Sequence, residues 1–330
     1  MGWRPAVQAV IPDYGESKTV TNSSSTTFNG AHHRFAVFIA LCTFLLILAG
    51  ASVTSNDAGL SVPDWPTSFG SLYRIPPMVD GVKFEHGHRM IAQFIGLLTI
   101  VLAVWTQRVD RRPWMRALGW AALATVIAQG ILGGITVLFY LPPAVSTAHA
   151  TLGQTFFCIV ISMALFTGRG WVNEAPVLIT QSERPRLATL SVLAVCSVYL
   201  QLILGAGFRH SGMKLLPHLV SAVAVTALLL WTCVRVLSRY ARTPQLRKPA
   251  VALLVLLFVQ LSLGFGSYLT RVEWGKGGAQ PGMGMVLTTV AHVAVGALVL
   301  ATSVILAIQA RRHTVVEETL LSKVGEAVAA

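Results

Sequence analysis

The sequence carries little charge. Only 12% of its 330 residues are Asp, Glu, Lys or Arg, and 54% are hydrophobic, whereas a soluble domain typically carries about 25% charged residues. The alternation of polar and apolar residues that marks the strands of a membrane β-barrel is also lacking. Instead, the apolar residues form blocks of about 20, the length that a helix needs to cross a bilayer. The sequence therefore predicts an all-α polytopic membrane protein.

Acidic residues are especially scarce, with 13 Asp and Glu against 25 Lys and Arg and a net charge of +12. This excess does not predict nucleic-acid binding, because the basic residues lie in short segments between the apolar blocks, where they encode topology. Most of them lie in the two tails and in the loops after the second, fourth and sixth blocks. The positive-inside rule then places both termini in the cytoplasm.

Cysteine is rare and does not occur in the loops. All four cysteines fall inside apolar blocks: Cys42, Cys158, Cys196 and Cys233. They are expected to be small buried side chains that form no disulfide. No cleavable signal peptide is expected, since the first 34 residues are polar and resemble a disordered tail. A bacterial plasma membrane is the favoured location.

The apolar blocks predict eight membrane-spanning helices. They are expected near 35–54, 87–107, 117–140, 147–168, 188–208, 215–237, 250–270 and 287–310. The chain divides into a disordered cytoplasmic tail (1–34), an N-terminal four-helix half (35–169), a cytoplasmic linker (170–187), a C-terminal four-helix half (188–312) and a second cytoplasmic tail (313–330). The tail histidines His32, His33 and His313 are expected to be solvated.

A short motif repeats along the chain. "QGILG" (129–133), "QLILG" (201–205) and "QLSLG" (260–264) lie in the third, fifth and seventh helices, and a degenerate "LILAG" ends at Gly50. Each copy is followed by an outer loop and then by a histidine in the first turn or two of the next helix; these are His88, His149, His218 and His292. Such self-similarity predicts four helix–loop–helix units in two pseudo-symmetric halves. The glycines allow close approach of helices or of a flat ligand. The glutamines Gln129, Gln201 and Gln260 are expected to hydrogen-bond between helices or to line a polar pocket.

The four repeated histidines predict metal binding. An ionisable side chain within a membrane span usually has a function, and an interhelical hydrogen bond explains one such histidine better than it explains four. Zinc takes three or four ligands at one centre, whereas haem needs only one or two axial ligands on opposite faces of a flat ring. We therefore expect two haem-like sites near the outer surface, one held by His88 and His149 and the other by His218 and His292.

The first of these sites has an additional carboxylate. Glu85 precedes His88 by three residues, so both lie on one face of a helix, and the other three units have no carboxylate at that place. Glu85 could supply an acid/base group for proton transfer, or it could only stabilise the N-terminus of its helix.

The longest outer loop, roughly residues 55–86, belongs to the same half. It is rich in Pro, Gly and aromatic residues, so we expect a structured cap held by packing and by its prolines. Asp64 and Trp65 are candidates for shaping the pocket, although Trp65 could also belong to an interfacial aromatic belt. Arg89 could pair with a haem propionate or mark the membrane interface.

The sequence resembles the haem A synthase family. The resemblance covers nearly the whole chain and rests on four features: the E-x-x-H-R element (Glu85, His88, Arg89), the "AGLSVPDWP" loop, the "AQGILGG" of the third helix, and the later histidines. It implies an oxidoreductase that converts haem O to haem A for terminal oxidases, oxidising a ring methyl to a formyl group through hydroxylated intermediates. Some members carry a cysteine pair in the outer loops, and this sequence has none.

The resemblance also implies roles for individual residues. His218 and His292 are expected to hold a permanent haem b for electron transfer. His88 and His149 are expected to bind the substrate haem, with Glu85 in catalysis. Haem O synthase and oxidase assembly factors are the implied partners. A dihaem b-type electron carrier, perhaps quinone-linked, is the alternative; it explains four histidines equally well, but not the single Glu85 or the elaborate loop.

Overall fold

The computed structural model describes residues 27–274 and 281–316. This part of the chain contains eight helices that are long and apolar enough to cross a membrane. In chain order the elements are α1 (Gly30–Ser55), α2 (Asp80–Val109), α3 (Pro113–Leu138), α4 (Pro143–Thr167), the short α5 (Arg169–Val172), β1 (Ile179–Gln181), α6 (Leu187–Arg209), α7 (Leu215–Arg239), α8 (Pro244–Tyr268) with a π-helical turn (Leu269–Glu273), α9 (Met283–His313) and β2 (Thr314–Val316). The prediction of eight spans is confirmed, and the protein is a multi-pass membrane protein.

The helices begin where the local sequence favours a helix start. The side chain of Asn29 caps α1 by accepting hydrogen bonds from the backbone N–H groups of Ala31 and His32, both at 3.1 Å. Helices α3, α4 and α8 each start with a proline in the first turn, where the missing N–H costs nothing. Several helices extend beyond the apolar blocks, because polar first turns such as that of α2 are also helical.

Each half of the chain packs around its own apolar core. Helices α1 to α4 contact one another in succession and α1 also contacts α4; α6 to α9 contact one another in the same way. The first core includes Phe156 and Phe157 of α4, and the second includes Leu253 and Leu257 of α8. Helix α9 also packs against α1 and α4. This is the pattern expected of two four-helix bundles, whose pseudo-symmetry and orientation in the membrane stay predictions.

The linker and the C-terminal segment are joined by a small parallel sheet. Strand β1 pairs with β2 in the register Ile179 to Thr314. The Gln181 side chain strengthens the junction, since Nε2 donates to Thr314 Oγ1 at 2.9 Å and Oε1 accepts from the Leu187 N–H at 2.9 Å. This two-stranded addition to a helical protein was not expected from the sequence, because three-residue strands carry too short a pattern to recognise.

The expected tails correspond only partly to the described structure. Residues 1–26 and 317–330 of these tails lie outside the described residues. The prediction that the tail histidines are solvated is wrong for two of them: His32 is 3% exposed and His313 is 4% exposed. Both residues belong to helices, because α1 begins at Gly30 and α9 continues to His313. His32 Nε2 is hydrogen-bonded to Thr106 Oγ1 at 2.9 Å.

Candidate functional site

Each repeated histidine packs against the glycine that ends the preceding motif. A Cβ atom added to that glycine would lie 2.8–3.2 Å from the Cε1 atom of the imidazole, closer than side chains normally pack. The pairs are Gly50 with His88, Gly133 with His149, Gly205 with His218, and Gly264 with His292. The repeat therefore has a physical reason, because only glycine lets the Cε1 edge of an imidazole come this close to the neighbouring helix. The place of the histidines along their helices varies more than predicted: His88 and His292 lie in the third turn, since α2 and α9 begin early.

Two of the imidazoles are oriented by the backbone of the glutamine in the motif. Nδ1 of His149 is 3.2 Å from the carbonyl oxygen of Gln129, and Nδ1 of His218 is 3.2 Å from that of Gln201. An Nδ1–H donated to a carbonyl leaves the lone pair of Nε2 free, which is the usual arrangement of a metal-ligating histidine. The backbone groups at the same motif position, those of Leu46 and Gln260, face His88 and His292, but Nδ1 of these two imidazoles has no hydrogen bond of good geometry among the described residues.

The glutamine side chains brace the histidine helices. Nε2 of Gln129 donates to the backbone oxygen of His149 at 2.8 Å, and Nε2 of Gln201 donates to that of His218 at 2.9 Å. Gln260 differs, because its Nε2 lies 3.4 Å from Nε2 of His292. For Gln129 and Gln201 the geometry favours the interhelical hydrogen bond over the pocket-lining role that the sequence also allowed.

The pair His218 and His292 has the spacing of a haem site. Their ring centroids are 6.4 Å apart and their planes are inclined by 84°. Two metal–nitrogen bonds of about 2 Å, each followed by about 1 Å to the ring centre, require a centroid separation of roughly 6 Å for imidazoles on opposite faces of one metal. The two rings therefore stand as far apart as a single metal between them needs, and they fit a haem iron.

The second pair, His88 and His149, lies in the N-terminal half and its members interact electrostatically. Within residues 27–274 and 281–316, no group of three or more His, Cys, Asp or Glu side chains could hold a metal ion. Ligands that come in twos suit the axial positions of a haem better than the three or four ligands of a zinc centre.

Glu85 and Arg89 hold the α1–α2 loop, residues 56–79. Glu85 is 4% exposed; its Oε2 accepts from the Val62 N–H at 2.8 Å and its Oε1 accepts from Arg89 Nη2 at 2.6 Å. Arg89 also donates to the carbonyl oxygens of Val62, Asp64 and Thr67. The expectation that packing and prolines hold this loop was incomplete, because the Glu85–Arg89 ion pair supplies four hydrogen bonds between the loop and α2.

Asp64 shapes the tip of the same loop. Its carboxylate accepts hydrogen bonds from the Thr67 hydroxyl and from the N–H groups of Phe69, at 2.7 Å, and Gly70, at 2.8 Å. Burial acts to raise the pKa of Asp64, but the hydroxyl and amide donors outweigh it and lower the pKa below its ordinary value. Asp64 is therefore an ionised residue that closes a turn, and its oxygens face the loop rather than an open pocket.

Trp65 attaches the loop to α3. A Cβ atom added to Gly134 would lie 2.5–2.7 Å from three atoms of the Trp65 indole, so the ring lies directly on that glycine. Gly134 follows Gly133, which packs against His149. The loop is fastened at a second point by His86, whose Nδ1 is 3.0 Å from Ser68 Oγ. Trp65 therefore covers the helix segment beside the first histidine pair.

Sequence reasoning missed a polar junction between the two halves. Arg209, at the end of α6, donates from Nη2 to Ser55 Oγ at 2.6 Å and to the carbonyl oxygen of Ala51 at 3.2 Å. Ser55 is in turn hydrogen-bonded to Thr289 of α9 at 2.9 Å. The available signal was the position of Arg209, four residues after the glycine of "QLILG".

His210 lies beside this junction. Burial, followed by the positive charge of Arg209 and by His149 and Arg271, lowers the pKa of His210 to about 4. The region between the halves is therefore electropositive, and His210 is neutral at ordinary pH. All four cysteines are free, and the expectation of burial is wrong for Cys196, which is exposed in the helical bundle.

The fold and site together define a helical membrane protein in which four histidines each pack against the glycine of a repeated motif. Comparison with known families gives a narrower class. The COX15-CtaA family model, described as cytochrome oxidase assembly protein, matches residues 82–216. The resemblance to haem A synthases is confirmed, and within this segment the chain is similar to the COX15-CtaA family. The matched segment contains Glu85, His88 and His149 and ends before His218.

Individual proteins that are similar to this chain are also called haem A synthases. Proteins called "Heme A synthase" align at 28% identity over 182 residues in Exiguobacterium sp. (54% of this chain, 58% of that protein), at 30% over 177 residues in Symbiobacterium thermophilum (52% and 56%), and at 27% over 203 residues in Shewanella oneidensis (56% and 57%). The chain thus spans somewhat more than half the length of these curated relatives.

Proposed function

We propose that the protein is a haem A synthase that oxidises a ring methyl group of haem O to a formyl group. The observation that carries the proposal is the recurrence of a histidine packed on a motif glycine in all four helix pairs. The similarity of residues 82–216 to the COX15-CtaA family supports it. The charge distribution supports cytoplasmic termini and haem sites near the outer face, and a bacterial plasma membrane is the proposed location. Haem O would arrive from a haem O synthase, and haem A would leave towards oxidase assembly factors.

The two histidine pairs are assigned different tasks. His218 and His292 would hold haem b permanently, and their ring separation of 6.4 Å supports this role. His88 and His149 would bind the substrate haem beside the α1–α2 loop. When bound, haem b supplies one-electron transfer. The protein orients the imidazoles through the motif carbonyls and uses Trp65 to cover the segment of α3 beside the first pair.

Glu85 is the candidate acid/base residue of the first site. It lies one helical turn from His88 and is buried, and its two oxygens accept charge-assisted or amide hydrogen bonds from Arg89 and Val62. These donors hold the carboxylate in one position, from which it would accept a proton near the methyl group that is oxidised. The same contacts fasten the loop, so Glu85 serves binding and proton transfer together.

The Glu85→Gln variant tests this role. The amide keeps the size of the side chain and removes the proton acceptor, but its NH2 group must face either the Val62 N–H or Arg89. The protease cleavage rate of the α1–α2 loop is therefore measured in parallel, to separate loss of the loop anchor from loss of proton transfer. In cells supplied with a haem O synthase, we expect haem A to fall at least 100-fold, within the range attributed to general base catalysis, while haem b content stays unchanged. Asp80→Asn, an exposed carboxylate at the start of α2, is the matched control. Normal haem A accumulation by Glu85→Gln would remove Glu85 from catalysis.

A dihaem b-type electron carrier, perhaps quinone-linked, is the second candidate. The complete engagement of the Glu85 carboxylate in loop contacts favours it, because a purely structural Glu85 needs no catalytic explanation. Extraction of the pigments after co-expression with a haem O source separates the two functions. A synthase yields haem A, whereas an electron carrier yields haem b alone.

A further inference from the structure

Arg209 occupies a distinctive position in the repeat. It follows Gly205 by four residues and therefore lies about 6 Å further along α6, on the face that packs against His218. The corresponding residues after the other three motif glycines are Thr54, Val137 and Tyr268. Of the four units, only the one that supplies His218 carries a cation one turn beyond its glycine.

The hydrogen bonds of Arg209 leave most of its donors free. Nη2 donates to Ser55 and to the carbonyl of Ala51. In the described part of the chain, Nη1 and Nε donate to no residue. A guanidinium has five N–H donors, and shielding such a group from water without an anionic partner is costly. The two neutral acceptors are a poor substitute for that partner.

The surroundings of Arg209 are also short of negative charge. Arg271, from the π-helical turn after α8, is its like-charged neighbour, and Asp57 is the carboxylate that offsets them. Asp57 is exposed to solvent, which weakens its attraction. Arg209 interacts electrostatically with His292 as well. Arg209 therefore interacts with one histidine of the His218–His292 pair and with a second guanidinium, and an exposed carboxylate is what offsets the two positive charges.

A guanidinium is shaped to bind a carboxylate through two parallel hydrogen bonds. A b-type haem carries two propionate carboxylates. We propose that Arg209, assisted by Arg271, binds a propionate of the haem held between His218 and His292. This inference rests on the proposed function, because it requires haem in that pair. It gives the half-buried guanidinium a hydrogen-bonded anionic partner, which no carboxylate among the described residues provides.

The competing explanation is that Arg209 only ties α6 to α1. The two roles are separated by Ser55→Ala, which removes the strongest interhelical hydrogen bond of Arg209 and leaves its charge. Arg209→Gln removes the charge, and Arg209→Lys keeps the charge but not the two-pronged geometry. Arg242→Gln, an exposed residue of the α7–α8 loop, controls for the loss of one positive charge elsewhere.

The experiment measures haem b dissociation from each purified full-length variant into excess apomyoglobin, together with the reduction midpoint potential of the bound haem. We expect Arg209→Gln to release haem on the order of 10- to 100-fold faster, as for loss of a charge-assisted hydrogen bond. Its midpoint potential should fall, because removing a nearby cation favours ferric haem. Arg209→Lys keeps the positive charge, so its midpoint potential should fall only slightly. Ser55→Ala and Arg242→Gln should match the unaltered protein in both haem release and midpoint potential.

Two results would overturn the inference. Equal haem loss in Ser55→Ala and Arg209→Gln, with unchanged potentials, would assign Arg209 to interhelical contact alone. Unchanged haem release and potential in Arg209→Gln would exclude a propionate contact. Failure of the unaltered protein to bind haem would instead contradict the proposed function. If Arg209→Gln does not fold, the midpoint potential of Arg271→Gln is measured instead. A lower potential would support the propionate contact, and an unchanged potential would contradict it.

Discussion

A methyl group added at Gly205 should displace His218 from its metal-binding position. The Cβ of Gly205→Ala would lie 2.8 Å from Cε1 and 3.1 Å from Nδ1 of the imidazole. The ring has little freedom to move away, because Nδ1 is hydrogen-bonded to the carbonyl oxygen of Gln201, in the same helix as the new methyl group. The substitution therefore either moves the imidazole or separates α6 from α7.

The magnitude follows from the cost of overpacking. Inserting a methyl group into a well-packed contact typically costs about 1–3 kcal/mol. If this cost falls on the haem-bound state, haem affinity drops roughly 5- to 150-fold. Gly130→Ala is the matched control, since a Cβ at that position meets nothing within 4 Å. That change should leave haem binding intact and strengthen α3 by up to about 1 kcal/mol, because alanine favours helix more than glycine does.

The assay is the ratio of the Soret absorbance to protein in the purified variants, with the spin state of the ferric haem as a second readout. Gly205→Ala should lose a large part of its haem b, and the remainder should contain high-spin haem, because one axial imidazole no longer reaches the iron. Gly130→Ala should resemble the unaltered protein. A full complement of low-spin haem in Gly205→Ala would refute the reasoning, since it would mean that His218 is not an axial ligand held by this contact.

Three further predictions concern the α1–α2 loop, His210 and the junction between the linker and the C-terminal segment. Gly134→Ala should force Trp65 off α3 and expose the α1–α2 loop to protease, measured by cleavage rate, while haem b content stays constant; an unchanged rate would contradict this contact. Because His210 has a folded pKa of about 4 against about 6.5 unfolded, the unfolded state binds more protons between these values. Thermal stability should therefore be complete above pH 6.5 and fall towards pH 4, and His210→Gln should reduce that slope; an equal slope in the variant would exclude His210. Gln181→Ala removes the bond to Thr314, worth about 1 kcal/mol, so it should speed proteolysis of the C-terminal segment without changing haem content; equal cleavage rates would count against it.

The helices were predictable because bilayer crossing imposes a length and a composition that are visible in one sequence. The ends of the helices were less predictable. The polar first turns of α2 hide its start at Asp80, and polar residues at the ends of α1 and α9 likewise placed His32 and His313 outside the predicted helices. In these segments hydrogen bonds and caps extend the helix beyond the apolar block.

The histidine pairs were predictable because the repeat places each one after a glycine motif, and local spacing carries that information. The contacts of Glu85 and Arg89 with Val62 and Asp64 were not, since they join residues more than 20 positions apart through a loop without regular structure. Arg209 was missed for the same reason: its partner Ser55 lies 154 positions away. Long-range polar contacts of this kind leave no periodic trace in the sequence.

The most direct test of the account is identification of the haems extracted from the purified protein after co-expression with a haem O synthase. We expect a Soret band from haem b held by His218 and His292, and haem O or haem A bound in addition. His218→Ala should lose haem b, and His88→Ala should lose the haem O or haem A. A purified, folded protein with no Soret band despite ample haem supply would contradict the claim that these imidazoles bind haem.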